Sequence, residues 1–146
     1  MNYADSSIEI LLVEDNPGDV ELTRIAFREA RIPNPLRVVM DGEQAMAYLR
    51  QERPFQQVMR PGLILLDLNL PRMDGREVLQ TVKSDPGLRR IPVCVMSTSS
   101  QESDALQSYD LHANSYISKP VTIAALIKTV VQLREYWLRT VLLPSA

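Results

Sequence analysis

The sequence predicts an α/β fold, in which a doubly wound parallel sheet of five strands carries helices on both faces. Two observations predict it. Short apolar runs alternate along the chain with segments of helical periodicity. The runs are apolar at successive positions, which is typical of strands buried on both faces of a parallel sheet. Right-handed crossovers then favour a small doubly wound sheet of five strands and five helices, for which the strand order 2-1-3-4-5 is common.

Five apolar runs are the candidate strands, and most of them end at a turn cluster or a polar residue. They span residues 8–13, 36–40, 63–67, 91–97 and 115–119. The third run is the most apolar, so we expect it at the centre of the sheet.

The segments between these strands have helical periodicity. The candidate helices span residues 18–30, 41–52, 76–85, 98–113 and 123–141. The apolar side chains expected along one face of the first helix are Val20, Ile25, Phe27 and Ala30. Pro33 and Pro35 oppose any continuation of that helix. Thr122 is a candidate N-cap for the last helix, because its hydroxyl can accept a hydrogen bond from a free backbone N–H.

Length and composition bound the class of protein. The chain has 146 residues, the size of one domain, with 45% hydrophobic and 23% charged residues. A net charge of −2 argues against nucleic-acid binding, and no apolar run approaches the ~20 residues of a membrane span. The single cysteine, Cys94, excludes an internal disulfide framework and is expected to be a small core residue. The N-terminus lacks a basic start and a long apolar run, so we expect no signal peptide and a cytoplasmic location.

Polar side chains follow four of the predicted strands, at the edge where such sheets bind ligands. They are Glu14 and Asp15 after the first strand, Asp67 at the end of the third, Ser97 and Thr98 at the fourth, and Lys119 at the fifth. Each could have a local role, because an acid or a hydroxyl can cap a turn or a helix and a lysine can be solvated. Their convergence on one edge instead predicts a shared site.

The chemistry of these residues points to a phosphoryl group held beside a cation. Crowded carboxylates repel one another unless a cation joins them. Oxygen ligands favour a hard cation such as Mg²⁺, with Mn²⁺ as a possible substitute. A lysine and a hydroxyl opposite the metal would hold a phosphoryl group through charge and hydrogen bonding.

Three stretches carry a specific resemblance. They resemble the flavodoxin-like receiver domain of two-component response regulators, in both their order and the elements on which they lie. The stretches are LLVEDN, LLDLNLPRMDG and SYISKP. The match runs from about Ile8 to the middle of the last helix. The stretches VEDNPGD, DGREVL, SYDLHANSYISKP and YWLRTVLLP are similar to single-domain regulators partnered with phytochrome-type histidine kinases.

This resemblance assigns roles to the strand-end residues. Asp67 is expected to accept a phosphoryl group from a sensor histidine kinase. Asp15 and Glu14 would hold Mg²⁺, with Asp15 the more direct ligand, and the backbone carbonyl of Asn69 would be a further ligand. Many receivers have aspartate at both acidic positions, so the longer Glu14 would act through a water. Phosphoryl-binding residues would be Lys119, Ser97 and Thr98.

The resemblance also implies a switch and control of hydrolysis. Ser97 would turn toward the phosphoryl oxygen and Tyr116 would rotate inward, although Tyr116 alone could be an ordinary half-buried strand residue. Asn69 and Ser99 would tune hydrolysis, which we expect to be slow. The peptide bond between Lys119 and Pro120 is usually cis in the family.

The C-terminal part carries more apolar surface than a short tail needs. We divide the chain into a lead at 1–7, a receiver domain at 8–135 and an apolar extension at 136–146. We expect that no effector domain follows and that output occurs by protein contact. The extension, with helices 4 and 5 and strand 5, would form a homodimer, and Trp137 could alternatively fold back on its own subunit. The expected contact residues are Tyr136, Trp137, Val141 and Leu142.

Two other functions compete with a phosphoaccepting switch. A phosphohydrolase of the haloacid dehalogenase type also uses a strand-end aspartate, but it needs a second aspartate two positions on, where this chain has Asn69. A receiver kept only as an interaction scaffold would not need the full set of strand-end residues. We therefore expect a signalling switch whose only chemistry is self-phosphorylation and self-dephosphorylation, and not an enzyme.

Overall fold

A computed structural model describes residues 8–98 and 102–144 and confirms the predicted fold. Five parallel strands form one sheet in the order β2-β1-β3-β4-β5. The strands are β1 (Ile10–Val13), β2 (Leu36–Val39), β3 (Leu63–Leu66), β4 (Val93–Ser97) and β5 (Ser115–Ser118). The helices are α1 (Pro17–Glu29), α2 (Gly42–Leu49), α3 (Gly75–Ser84), α4 (Glu102–Asp110) and α5 (Ile123–Leu133), and a π-helical segment follows at Arg134–Thr140.

The sheet separates two hydrophobic clusters, and β3 contributes to both of them. Ile64 and Leu66 face the cluster beneath α2 and α3, while Leu63 and Leu65 face the cluster beneath α1 and α5. All four side chains are at most 2% exposed. This burial on both faces explains why the run is apolar at every position, and it confirms the central place of β3.

Side chains at the starts of four helices accept hydrogen bonds from free backbone N–H groups. The capping residues are Asn16 for α1, Asp41 for α2, Asp74 for α3 and Thr122 for α5. Thr122 Oγ1 accepts from Ala125 N at 3.1 Å, which confirms the predicted cap of the last long helix. All four caps follow the carboxyl ends of parallel strands, so they fix how α1, α2, α3 and α5 leave the edge that carries the strand-end residues.

The inward face of α1 differs from the predicted one. We expected Val20, Ile25, Phe27 and Ala30 to lie along it, but Ile25 is only half-buried and Ala26 is fully buried. A small side chain at Ala26 allows the helix axis to lie close to the sheet, which a large one would prevent.

The last helix changes its geometry where a continuous helix to residue 141 was expected. In the π-helical segment Val141 N donates to Tyr136 O at 3.0 Å, a hydrogen bond that spans five residues. Leu138 is 2% exposed, and Trp137 is partly buried against the cluster beneath α1 and α5. The Trp137 ring thus packs on its own chain, the alternative considered above, while its part-exposed side keeps a contribution to a homodimer as a prediction.

Other apolar side chains near the C-terminus do face outward. Tyr136 is 53% exposed and Leu142 is 71% exposed, while Val141 is half-buried. The predicted domain boundary at residue 135 falls inside the π-helical segment. Within residues 8–98 and 102–144, no helix is both long and apolar enough to cross a membrane.

Candidate functional site

The strand register brings the predicted residues to one edge of the sheet. Val13 of β1 lies beside Leu66 of β3, and Ser97 of β4 lies beside Ser118 of β5. The residues that follow these pairs therefore leave the sheet next to one another. Asp67 N still donates to the carbonyl oxygen of Val13 at 3.1 Å, so the ladder fixes the backbone of the acid itself.

Three carboxylates form a cluster at this edge. Glu14, Asp15 and Asp67 each place an oxygen so that the three oxygens lie within 4.8 Å of one another. Glu14 and Asp67 are 2% and 8% exposed, whereas Asp15 is exposed to solvent. Asp67 Oδ1 accepts a hydrogen bond from Asn69 N at 3.2 Å, which orients the carboxylate. An all-oxygen set that is open on one side suits a hard divalent cation that keeps part of its water shell.

The Lys119 side chain reaches this cluster from the end of β5. Its Nζ donates to Asp67 Oδ2 at 3.2 Å, to Asp19 Oδ2 at 3.1 Å and to Glu14 Oε1 at close range. These three acceptors match the three donors of an ammonium group. The side chain is 14% exposed, so these ion pairs are shielded from solvent more than surface pairs are.

The pKa values at the site show how burial and charge compete. Burial raises the pKa of Glu14 to about 7; the hydrogen bond from Lys119 opposes the rise and the charge of Asp67 adds to it. Burial lowers the pKa of Lys119, but Glu14, Asp67 and Asp19 outweigh burial and leave that pKa above its ordinary value. Lys119 therefore stays charged, and the buried Glu14 would gain most from a cation.

Asp19 is the one residue of this network that the sequence did not predict. It lies in the first turn of α1, three residues after the cap residue Asn16, whose Oδ1 accepts from Asp19 N at 3.1 Å. In the sequence, the pattern that could have indicated Asp19 is a cap residue followed by an acid in the first turn of the helix. Whether that acid reaches Lys119 depends on how α1 crosses the sheet edge.

The predicted switch residues lie on β4 and β5, with Ser97 the last residue of β4 and Tyr116 the second residue of β5. Ser97 is fully buried, and its carbonyl oxygen accepts from Lys119 N at 2.6 Å, while Thr98 is exposed. Tyr116 is half-buried against the cluster beneath α2 and α3. Its backbone N donates to the hydroxyl of Tyr109 at 3.2 Å, which connects β5 to α4.

The resemblance also made predictions for the Lys119–Pro120 peptide bond and for Ser99. Within the described residues the one cis peptide bond is Arg53–Pro54, so the expected cis bond between Lys119 and Pro120 is wrong; the ammonium reaches the carboxylates with that bond trans. Ser99, predicted to tune hydrolysis, lies outside the described residues.

The loop after Asp67 packs closely enough to require glycine at two positions. A Cβ at Gly75 would overlap the carbonyl oxygen of Asp67 and come within 2.6 Å of Leu68 Cα. A Cβ at Gly42 would overlap Met73, the loop residue that packs against the core. Close packing therefore fixes the loop at Met73 and at Gly75.

Comparisons with known proteins agree with this geometry. The model of the response regulator receiver domain family matches residues 10–131. Response regulator Rcp1 of Synechocystis sp. is 46% identical over 137 residues, which cover 94% of this chain and 93% of Rcp1.

Two solved structures are similar over nearly the whole chain. The phosphorylated cyanobacterial phytochrome response regulator RcpA is 51% identical with a TM-score of 0.90, covering 96% of this chain and 100% of RcpA. The Mn²⁺-bound form of Rcp1 is 45% identical with a TM-score of 0.88, covering 94% of this chain and 99% of that one. These matches confirm the predicted family and its flavodoxin-like fold. The chain belongs to the family of response regulator receiver domains.

Proposed function

We propose that this protein is a signalling switch that accepts a phosphoryl group on Asp67 from a sensor histidine kinase. One observation carries the proposal. The Asp67 carboxylate lies in one acidic cluster with Glu14 and Asp15, and the ammonium of Lys119 donates to it at 3.2 Å. A carboxylate can serve as a nucleophile, and phosphoryl transfer needs little more than positioning and charge stabilisation around it.

The transfer step follows from these positions. A carboxylate oxygen of Asp67 attacks the phosphorus of a phosphohistidine, and the bond between phosphorus and the imidazole nitrogen breaks. The electron pair stays on that nitrogen, which takes a proton from solvent. Lys119 stabilises the negative charge on the phosphoryl oxygens. In a separate step, water attacks the phosphorus of the aspartyl phosphate and the bond between phosphorus and the Asp67 oxygen breaks. The products are inorganic phosphate and the Asp67 carboxylate, and the proton that water loses passes to solvent.

A divalent cation, Mg²⁺ or Mn²⁺, would be held by Glu14, Asp15 and Asp67 together with the backbone carbonyl of Asn69. The oxygen donors fit this role, because the three carboxylates lie within reach of one ion. A bound cation would supply charge neutralisation for the phosphoryl oxygens. The Mn²⁺-bound structure of the relative Rcp1 supports this assignment.

Ser97, Thr98 and Tyr116 would respond to the phosphoryl group. Ser97 is the buried last residue of β4 and the exposed Thr98 follows it, near Lys119 after β5, where their hydroxyls could bind a phosphoryl oxygen. Tyr116 would move with Ser97 and shift the balance between two existing conformations. Asn69 is exposed two residues after the acceptor, and we include it, with Ser99, as a tuning residue for hydrolysis.

The kinase partner is proposed to be of the phytochrome type, and the exchange to occur in the cytoplasm. The support is similarity to Rcp1 and to RcpA, the latter described as a phosphorylated phytochrome response regulator. The kinase would meet an acceptor site that Asp19 of α1 and Lys119 after β5 border.

A homodimer through α4, β5, α5 and the C-terminal segment is also part of the proposal. Leu106 and Tyr109 of α4 are 58% and 51% exposed, and Tyr136 and Leu142 expose similar or larger fractions. Such apolar exposure is typical of a protein contact. Sedimentation velocity should show that Leu142→Glu weakens the dimer while Met59→Glu, at a side chain 56% exposed outside this surface, leaves it intact. Equal behaviour of the two variants would remove this surface from the proposal.

The central experiment is phosphorylation by acetyl phosphate with Mg²⁺, followed on a phosphate-affinity gel. The wild-type protein should give a stable shifted band, and Asp67→Ala should give none. Continuous release of phosphate without a shifted band would indicate a hydrolase. Absence of any shift with acetyl phosphate or a phosphorylated kinase would indicate a scaffold.

A further inference from the structure

Lys119 has one carboxylate partner that takes no part in the acidic cluster. Glu14 and Asp67 belong to that cluster, whereas Asp19 lies in the first turn of α1. The distance from Lys119 Nζ to Asp19 Oδ2 is 3.1 Å, as short as its distance of 3.2 Å to the acceptor. Asp19 is 35% exposed at its side chain, and Lys119 is 14% exposed.

The backbone of Asp19 is fixed from both directions along α1. Its N–H donates to the cap residue Asn16, and its carbonyl oxygen accepts from Thr23 Oγ1 at 2.8 Å. Thr23 is 7% exposed and lies on the buried face of the helix. The Asp19 carboxylate therefore stands on a rigid base, as a group that orients another side chain must.

We propose that Asp19 is a positioning residue that holds the Lys119 ammonium beside the Asp67 carboxylate and thereby sets the rate of phosphorylation. This inference rests on the proposed function. A lysine carries a compact charge on a flexible stem, so its placement depends on the groups that receive its hydrogen bonds. The contact with Asp67 changes when that carboxylate becomes an ester, while the contact with Asp19 involves no reacting atom and can persist through the transfer.

An alternative role for Asp19 predicts the opposite result. A carboxylate beside Lys119 could screen its charge and so slow the approach of an anionic donor. In that case removing the charge would accelerate phosphorylation. The positioning role predicts that removing the hydrogen-bond acceptor slows it, because misplacement of a group in a phosphoryl-transfer site is costly.

The test measures the rate of phosphorylation by acetyl phosphate in saturating Mg²⁺ for four proteins. Asp19→Ala removes both charge and acceptor and should slow the reaction about fivefold. Asp19→Asn keeps an oxygen that can accept from Lys119 and should recover most of that loss. Glu21→Ala removes the same charge from an exposed position of the same helix and serves as the matched control.

Three outcomes overturn the inference. They are an Asp19→Ala rate equal to wild type, faster reaction in both Asp19 variants, and an equal loss in Glu21→Ala. A Lys119→Ala background adds a further check, because Asp19→Ala should have no additional effect once the lysine is absent. If circular dichroism shows that Asp19→Ala does not fold, Asp19→Ser replaces it, because the serine side chain is too short to reach the Lys119 ammonium. Failure of wild type to take up phosphate refutes the proposed function instead.

Discussion

Gly75 packs directly against the backbone carbonyl of Asp67. Its own N–H donates to Leu68 O at 2.9 Å, and a Cβ would overlap the Asp67 oxygen. Because the neighbouring atoms are backbone, they cannot move aside as a flexible side chain would. We therefore expect Gly75→Ala to lower the free energy of unfolding by about 2 kcal/mol and to slow phosphorylation of Asp67. Urea unfolding and the acetyl phosphate assay measure the two effects.

Gly87→Ala is the matched control for this prediction. A Cβ at Gly87 would lie 3.3 Å from Asp85 Oδ1, an atom at the end of a side chain, so a small adjustment relieves the contact. The change should stay within about 0.5 kcal/mol of wild type. Similar losses in the two variants would mean that the cost comes from glycine replacement in general and not from the loop of Asp67.

The sequence predicted the parts of the site that depend only on where strands end. The apolar run before Asp67 and the run before Glu14 define two adjacent strands, and parallel pairing places the residues that follow them together. The end of β5 adds Lys119 in the same way. Strand order and the carboxyl-edge rule were sufficient for this step.

The remaining features depend on how helices lie on the sheet. The contact between Asp19 and Lys119 requires the crossing of α1 over the sheet edge, which periodicity does not specify. Ala26 replaces Ile25 on the buried face because the helix lies close to the sheet. In the π-helical segment, which buries Leu138, the hydrogen bonds join residues five apart instead of four. The apolar pattern of residues 136–142 is compatible with either spacing.

Removing Lys119 should destabilise the protein in the absence of divalent metal. Glu14, Asp19 and Asp67 would lose their shared cation, and two of them are buried. We expect Lys119→Met to lower the free energy of unfolding by about 2 kcal/mol in EDTA. Because a cation at the acidic cluster compensates for the lost charge, the difference from wild type should shrink in millimolar Mg²⁺. Lys128→Met, at an exposed position of α5, provides the control, and a deficit that ignores Mg²⁺ would contradict the prediction.

Arg76 connects α3 to α4 through two side chains. Its Nη2 lies 3.1 Å from Asp104 Oδ1, and its Nε donates to Gln107 Oε1 at 2.9 Å. Arg76 and Asp104 are 25% and 22% exposed, so we expect a coupling energy of about 1 kcal/mol from a double-mutant cycle with alanine. The Arg72–Glu43 pair, with atoms 3.9 Å apart and both side chains about two-thirds exposed, should give a coupling near zero. Equal coupling in the two cycles would show that Arg76 does not hold α4.

Cys94 should make stability depend on alkaline pH. Its thiol is fully buried in β4, and burial raises the pKa from 9.0 to about 11. The unfolded chain therefore ionises this thiol first, so the stabilisation is complete below pH 9 and is lost as pH rises through 11. Between these values the free energy of unfolding of wild type should fall by about 2–3 kcal/mol more than that of Cys94→Ala, which has no thiol to ionise. Urea unfolding of the two proteins at intervals from pH 7 to pH 11 measures the difference. Curves that stay parallel would mean that the thiol is not shielded from solvent in the folded protein.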